Sequence, residues 1–136
     1  GYERGITENG LSFRLIQRVP YRSMMDADAL EPVLSEMVKK HRIDALAASN
    51  DHMAAAAIKA FSRIGMKVPG DVAVSGYDNV DICTLITPSL TTFYDRRGDV
   101  AKALVDLFVE LTGPRRLAPG ERAVTFKPEF IERDST

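Results

Sequence analysis

The chain has 136 residues, 45% hydrophobic and 27% charged, with 18 Lys and Arg against 19 Asp and Glu for a formal net charge of -1. That is the balance of a single globular domain with its own core, and it carries no global attraction for DNA, RNA or an anionic membrane. No stretch approaches the roughly 20 apolar residues of a membrane span, and no signal peptide opens the chain. The single cysteine, Cys83, can form no internal disulfide and fits a reducing compartment.

In chain order, Tyr2 and Ile6 stand at helical spacing and Gly10 is a stop signal, so residues 1–9 are expected to be helical. "LSFRLIQRV" alternates apolar and polar residues, which predicts a strand over 11–18. After Pro20-Tyr21, Asp26 or Asp28 can cap a helix in which Leu30, Val33, Leu34, Met37 and Val38 form an amphipathic stripe. "IDALAAS", 43–49, is a short apolar run suited to a buried strand. Asn50-Asp51 can cap the alanine-rich helix that Gly65 closes. A further apolar strand is expected over about 71–76, a fourth at "LTTFY", and a helical stripe from Arg96 to Thr112. "AVTFKPEFIERD" reads as a strand, a turn or proline kink, and a second strand. Strands alternating with helices predict parallel β-α-β units, an α/β parallel-sheet lobe in three layers.

In such sheets ligands bind beyond the carboxyl ends of the strands. There this chain places Tyr21, Asn50 and Asp78. A carboxylate accepts hydrogen bonds, an amide donates and accepts, and an aromatic face offers a flat apolar surface. The set suits a neutral polyhydroxylated ring. Taken singly, Asn50 and Asp51 read as helix caps and Asp78 as a turn residue; their convergence at one sheet edge favours a binding site.

The run "IDALAASNDHMAAAAIKAFSRIGMKVPGDVAVSGYDNVDICTLITPSLTTF", with the closing "KPEFIERDST", resembles the effector-binding domain of the LacI/GalR transcriptional repressors. The likeness is continuous from 43 to 93 and looser over 1–42. It implies a periplasmic-binding-protein-like type I fold of two lobes joined by crossing strands. Residues 1–90 would be one lobe, 91–123 a crossing strand and helix belonging to the other lobe, and 124–136 the return strands, with most of that second lobe upstream of Gly1. The helix at 96–112 would then lack its packing partner and pack non-natively, dimerise or be poorly ordered. The resemblance makes Asn50 and Asp78 hydroxyl-binding groups, puts Tyr21 at a stacking position, and carries Asp95 over as a ligand group. Ala55-Ala56, Asn79 and the "FYDRRGD" run that contains Asp95 depart from the usual pattern.

The resemblance also implies a small-molecule effector, a sugar or related polar compound, and a cytoplasmic homodimer, with Ile82, Leu85 and Ile86 as interface candidates. DNA would be bound only through a helix-turn-helix outside this chain. A solute-binding or sensor domain of the same architecture is the alternative. No enzyme is expected: there is no phosphate-binding glycine loop, nucleophile elbow or catalytic histidine pair, and no cofactor. His41 and His52 lack metal-ligand spacing, so no metal site is expected. Arg97-Gly98-Asp99 spells an adhesion tripeptide at a helix start and reads as chance.

Overall fold

The computed structural model describes residues 2–11, 15–114 and 118–136, without the side chains of Tyr2, Tyr21, Pro119 and Glu121. Helix α1, Tyr2–Glu8, ends at Gly10, whose φ of 67° suits a residue without Cβ. There the Gly10 N–H donates to the Thr7 carbonyl and the Leu11 N–H to that of Ile6, which satisfies the last turn. The strand expected over 11–18 does not form in its described part: residues 15–18 lie in no regular element, and residues 12–14 lie outside the described residues. Alternation gives a strand its faces, but only a pairing partner gives it a ladder, and this segment pairs with no described strand.

Helix α2 runs Ala27–Lys40 and is capped by Asp26, whose side chain accepts from the Asp28 N–H at 2.9 Å. Its stripe puts Leu30 and Leu34 into the core, with Met37 and Val38 packed at the margin. Strand β1, Ala45–Ala47, leads through Asn50 into helix α3, Asp51–Arg63. Four alanines of α3 (54, 56, 57 and 60) are buried with Ile58 and Phe61. Small side chains let α2 pack closely on one side of α3, while α3 also packs on the next strand. Gly65, φ 83°, closes α3 as expected, with Met66 N–H donating to the Phe61 carbonyl at 2.9 Å.

Strand β2, Ala73–Tyr77, is followed by a single-turn helix α4, Ile82–Leu85, that the sequence pattern does not announce. Strand β3 is Thr91–Tyr94, helix α5 is Arg97–Thr112, and strand β4 is Glu129–Ile131. Only β4 forms from the two strands expected in 124–136; residues 123–128 form no strand. The sheet order is β1-β2-β3-β4, with β1, β2 and β3 parallel and β4 antiparallel to β3. It is an open, mostly parallel α/β sheet, as the alternation of elements predicts.

Two features stand outside that core. Helix α5 has no buried residue: Leu104 and Phe108 are 67% and 65% exposed, and Val105 and Val109 lie open as well. Residues 133–136 instead bind tightly. Val74 donates its N–H to the Ser135 carbonyl at 2.8 Å, the Ser135 hydroxyl donates to the Val74 carbonyl at 2.7 Å, and Thr91 N–H donates to the same hydroxyl at 2.8 Å. Arg133 donates to the Leu90 carbonyl at 2.7 Å and to Asn79 Oδ1 at 2.8 Å. This segment thus completes the hydrogen bonding of β2 just where β3 begins.

Candidate functional site

The three parallel strands share one carboxyl edge, and each is followed there by a polar residue. Asn50 follows β1, Asp78 follows β2 and Asp95 follows β3. The register pairs Ser75 with Thr91 and Tyr77 with Phe93, so the ends of β2 and β3 lie side by side.

Asn50 is the N-cap of α3, its Oδ1 accepting from the Met53 N–H at 2.9 Å. The capping role is therefore present; a primary amide also carries two N–H donors for another partner. Asp51 does not behave as a surface cap. It is fully buried; its Oδ2 accepts from the Val80 N–H at 2.9 Å and its Oδ1 from the Thr92 hydroxyl at 2.5 Å. Buried carboxylates survive in low dielectric only with such partners. The buried Cys83 thiol lies close by, and its pKa is pushed up to about 12, first by burial and then by its hydrogen bond to Asp51.

Asp78 has φ 111° and Asn79 φ 52°, both in the left-handed half of backbone space where side-chain-bearing residues are strained. The turn is held from several sides. Asp78 N–H donates to the Phe93 carbonyl at 2.8 Å, and Asn79 Oδ1 accepts from Arg133 at 2.8 Å. The Arg97 guanidinium joins two of the candidates: its Nη2 lies 3.0 Å from Asp78 Oδ1, and its Nε lies 3.4 Å from Asp95 Oδ1. Asp95 Oδ1 is buried and makes no hydrogen bond. Asp78 and Asp95 are thus brought together by a cation, and the trio carries a net charge of -1.

Tyr21 opens a short 3-10 turn, Tyr21–Ser23, but its side chain lies outside the described residues. Aromatic surface beside Asp78 comes from a row across the sheet that sequence reading did not single out. Tyr77 stacks on Phe93 with centroids 6.5 Å apart, and Phe93 meets Phe130 at 5.1 Å. Alternation along a strand hints at this row only once the register is known. Arg97, noticed in sequence only within the Arg97-Gly98-Asp99 tripeptide, takes its place in the site from its position two residues after Asp95.

Of the interface candidates, Leu85 is 76% exposed, whereas Ile82 and Ile86 are half-buried against the core. Both isoleucines also line a cavity of about 610 Å³ shared with His52, Ala55, Ala56 and Lys59 of α3 and with the start of α2. None of Asn50, Asp78 and Asp95 lines that cavity, so it is distinct from the strand-end site. Among the described residues, no three His, Cys, Asp or Glu side chains gather as a metal site, and no helix is long and apolar enough to cross a membrane.

The periplasmic binding protein-like domain family matches residues 1–136. The repressor PurR of Aliivibrio fischeri is 31% identical over 137 residues, spanning 99% of this chain and 40% of that protein. The regulator MalR of Clostridium butyricum is 33% identical over 138 residues, spanning 99% of this chain and 39% of its own length. Among solved structures, a LacI family transcriptional regulator from Arthrobacter sp. FB24, in complex with lactose, superposes with a TM-score of 0.79 at 31% identity. That match covers 98% of this chain and 49% of the other, so the chain spans half or less of the relatives it matches. With an open, mostly parallel sheet and its polar groups on the carboxyl edge, the chain belongs to the periplasmic binding protein-like family, as an effector-binding domain of the LacI/GalR kind.

Proposed function

We propose that Asn50, Asp78 and Asp95 bind a small polar effector, a sugar or a related hydroxylated compound, at the carboxyl edge of the sheet, with Tyr21 as a stacking surface. The observation that carries this reading is the pairing of Asp78 and Asp95 through Arg97, one carboxylate from the end of β2 and the other from beyond β3. One guanidinium orients both carboxylates, and each keeps lone pairs for vicinal hydroxyls. The lactose held by the Arthrobacter relative supports a sugar.

In the whole protein, the effector would control DNA binding by a helix-turn-helix that this chain does not carry. Residues 1–90 form one lobe, 91–123 cross to and belong to a second, and 124–136 return. The bare apolar side of α5 supports that division, because Leu104 and Phe108 have the character of core residues and no core to join. An effector gripped from both sides of the crossing favours a closed arrangement through its higher affinity for that state. A cytoplasmic homodimer uses Ile82, Leu85 and Ile86, with Leu85 as the exposed anchor beside the α3 cavity.

The test is a thermal-shift screen of the whole regulator and of the 136-residue chain against lactose, maltose, common monosaccharides and purine bases. Selective binding to the native state raises stability as ligand concentration exceeds Kd. A sugar that raises Tm in the parent protein but not in Asp78→Ala or Asn50→Ala supports the site. A shift that survives both substitutions moves the site elsewhere, and a purine alone among the hits replaces the sugar reading.

A further inference from the structure

Asp51 is the buried charged group that the effector reading leaves without a role, and its surroundings are built around it. A Cβ added to Gly76 would stand 2.3 Å from Asp51 Oδ1, so the carboxylate lies against the glycine backbone of β2. Its other contacts come from different segments: the Val80 N–H from the turn after β2, and the Thr92 hydroxyl from β3. One carboxylate on the first residue of α3 therefore ties together the three elements that carry Asn50, Asp78 and Asp95.

We propose that Asp51 is the positioning residue of the effector site, holding the Asp78-Asn79 turn in its left-handed conformation and locking that turn to β3. This rests on the reading of Asp78 as an effector ligand. Two consecutive non-glycine residues at φ 111° and 52° persist only where their surroundings over-determine them. The turn is fixed at its start by Asp78 N–H on the Phe93 carbonyl and at its end by Val80 N–H on Asp51. Releasing the second anchor lets Asp78 and Asn79 relax toward negative φ, which swings the Asp78 carboxylate from the edge it shares with Asp95. Because Asp51 also holds Thr92, a displacement of β3 reaches the turn through one rigid group.

Backbone NMR on the 136-residue chain tests this without any ligand. Asp51→Ala removes both acceptor oxygens and leaves the Val80 N–H and the Thr92 hydroxyl without that partner. The expected result is a Val80 amide that exchanges roughly tenfold faster or more. The Asp78 and Asn79 Cα resonances should move off their left-handed positions, while the Val74 amide, bonded to Ser135, keeps its protection. Thr92→Val, which removes only the β3 arm, should shift the same two resonances, and Thr92→Ser should restore them; this pair carries the test if Asp51→Ala does not fold. Unchanged Val80 exchange and unchanged Asp78 and Asn79 resonances overturn the proposal. So does a loss of protection spread evenly to Val74, which would mark a general structural role. The effector reading fails separately: an Asp78→Ala protein with an intact sugar-induced Tm shift removes Asp78 from the site while leaving the Val80 measurement to judge the link.

Discussion

Replacing Gly76 by alanine probes the buried carboxylate from the opposite side. The new Cβ would lie 2.3 Å from Asp51 Oδ1 and 3.1 Å from both the Asp51 Cα and Leu90 Cδ2. Ordinary carbon–oxygen contact is about 1 Å longer than the first of these, a gap that rotamer adjustment does not absorb in a close-packed interior. Relief requires the carboxylate to leave Val80 N–H and Thr92 Oγ1, and hydrogen bonds to a charged group contribute about 1.5–3 kcal/mol each. Alanine stiffens the unfolded chain and returns about 0.4–1 kcal/mol. The expected net loss is about 2–5 kcal/mol, a large part of the 5–15 kcal/mol typical of a domain. Urea denaturation followed by circular dichroism reads this as a midpoint lowered by roughly 1–2 M at unchanged slope. In an Asp51→Ala background the oxygen is gone, so the added loss from Gly76→Ala should fall below about 1.5 kcal/mol. A Gly76→Ala loss under about 1 kcal/mol, or strict additivity in that double-mutant cycle, would refute the reasoning.

Ser135→Ala leaves the Val74 carbonyl and Thr91 N–H without the hydroxyl they share, and at about 1–3 kcal/mol per buried unpaired group it should lower stability by about 2–4 kcal/mol in the same assay. A loss under 0.5 kcal/mol, a threshold of about the scale of surface changes, would mean water substitutes freely there. Leu104→Lys with Phe108→Lys should change stability by no more than about 0.5 kcal/mol, since neither side chain is buried; a fall of 2 kcal/mol or so would show that α5 joins the core. Cys83 titrates at about 12 when folded, above the ordinary 9.0, so unfolding releases its proton between those values. Its contribution is full below pH 9 or so and declines toward pH 12, by at most about 1.4 kcal/mol per pH unit. Stability curves of the parent chain should therefore fall more steeply with alkaline pH than those of Cys83→Ala, and parallel curves would disprove the buried-thiol account.

Helices α1, α2 and α3 declared themselves through local chemistry, whereas α4 did not. Asp26, Asn50, Gly10 and Gly65 each perform the capping or stopping role that their residue types imply. Strands were less legible, because a strand depends on a partner that local sequence does not contain. Residues 15–18 have the right alternation and no ladder, whereas β1 needs only three residues because β2 accepts it. At the site, the positions of Asn50 and Asp78 followed from strand order alone, and Asp95 from the resemblance. What escaped was the set of contacts made between segments far apart in sequence. Asp51 reaches Val80 and Thr92 across 29 and 41 residues, and Arg97 reaches back to Asp78 across 19. No periodicity encodes such pairings, and the cap reading of Asp51 hid its burial.

The grip of residues 133–136 on the sheet sets the order in which this domain can be finished. Val74 bonds to a hydroxyl 61 residues later, and Thr91 to one 44 residues later. During synthesis, β1, α3 and β2 can assemble while that segment is still inside the ribosome, but the β2–β3 junction stays open until it emerges. Closing so long a loop carries an entropic cost that no local contact offsets. The seam beside Val74 is therefore the last part of the sheet whose hydrogen bonds can close.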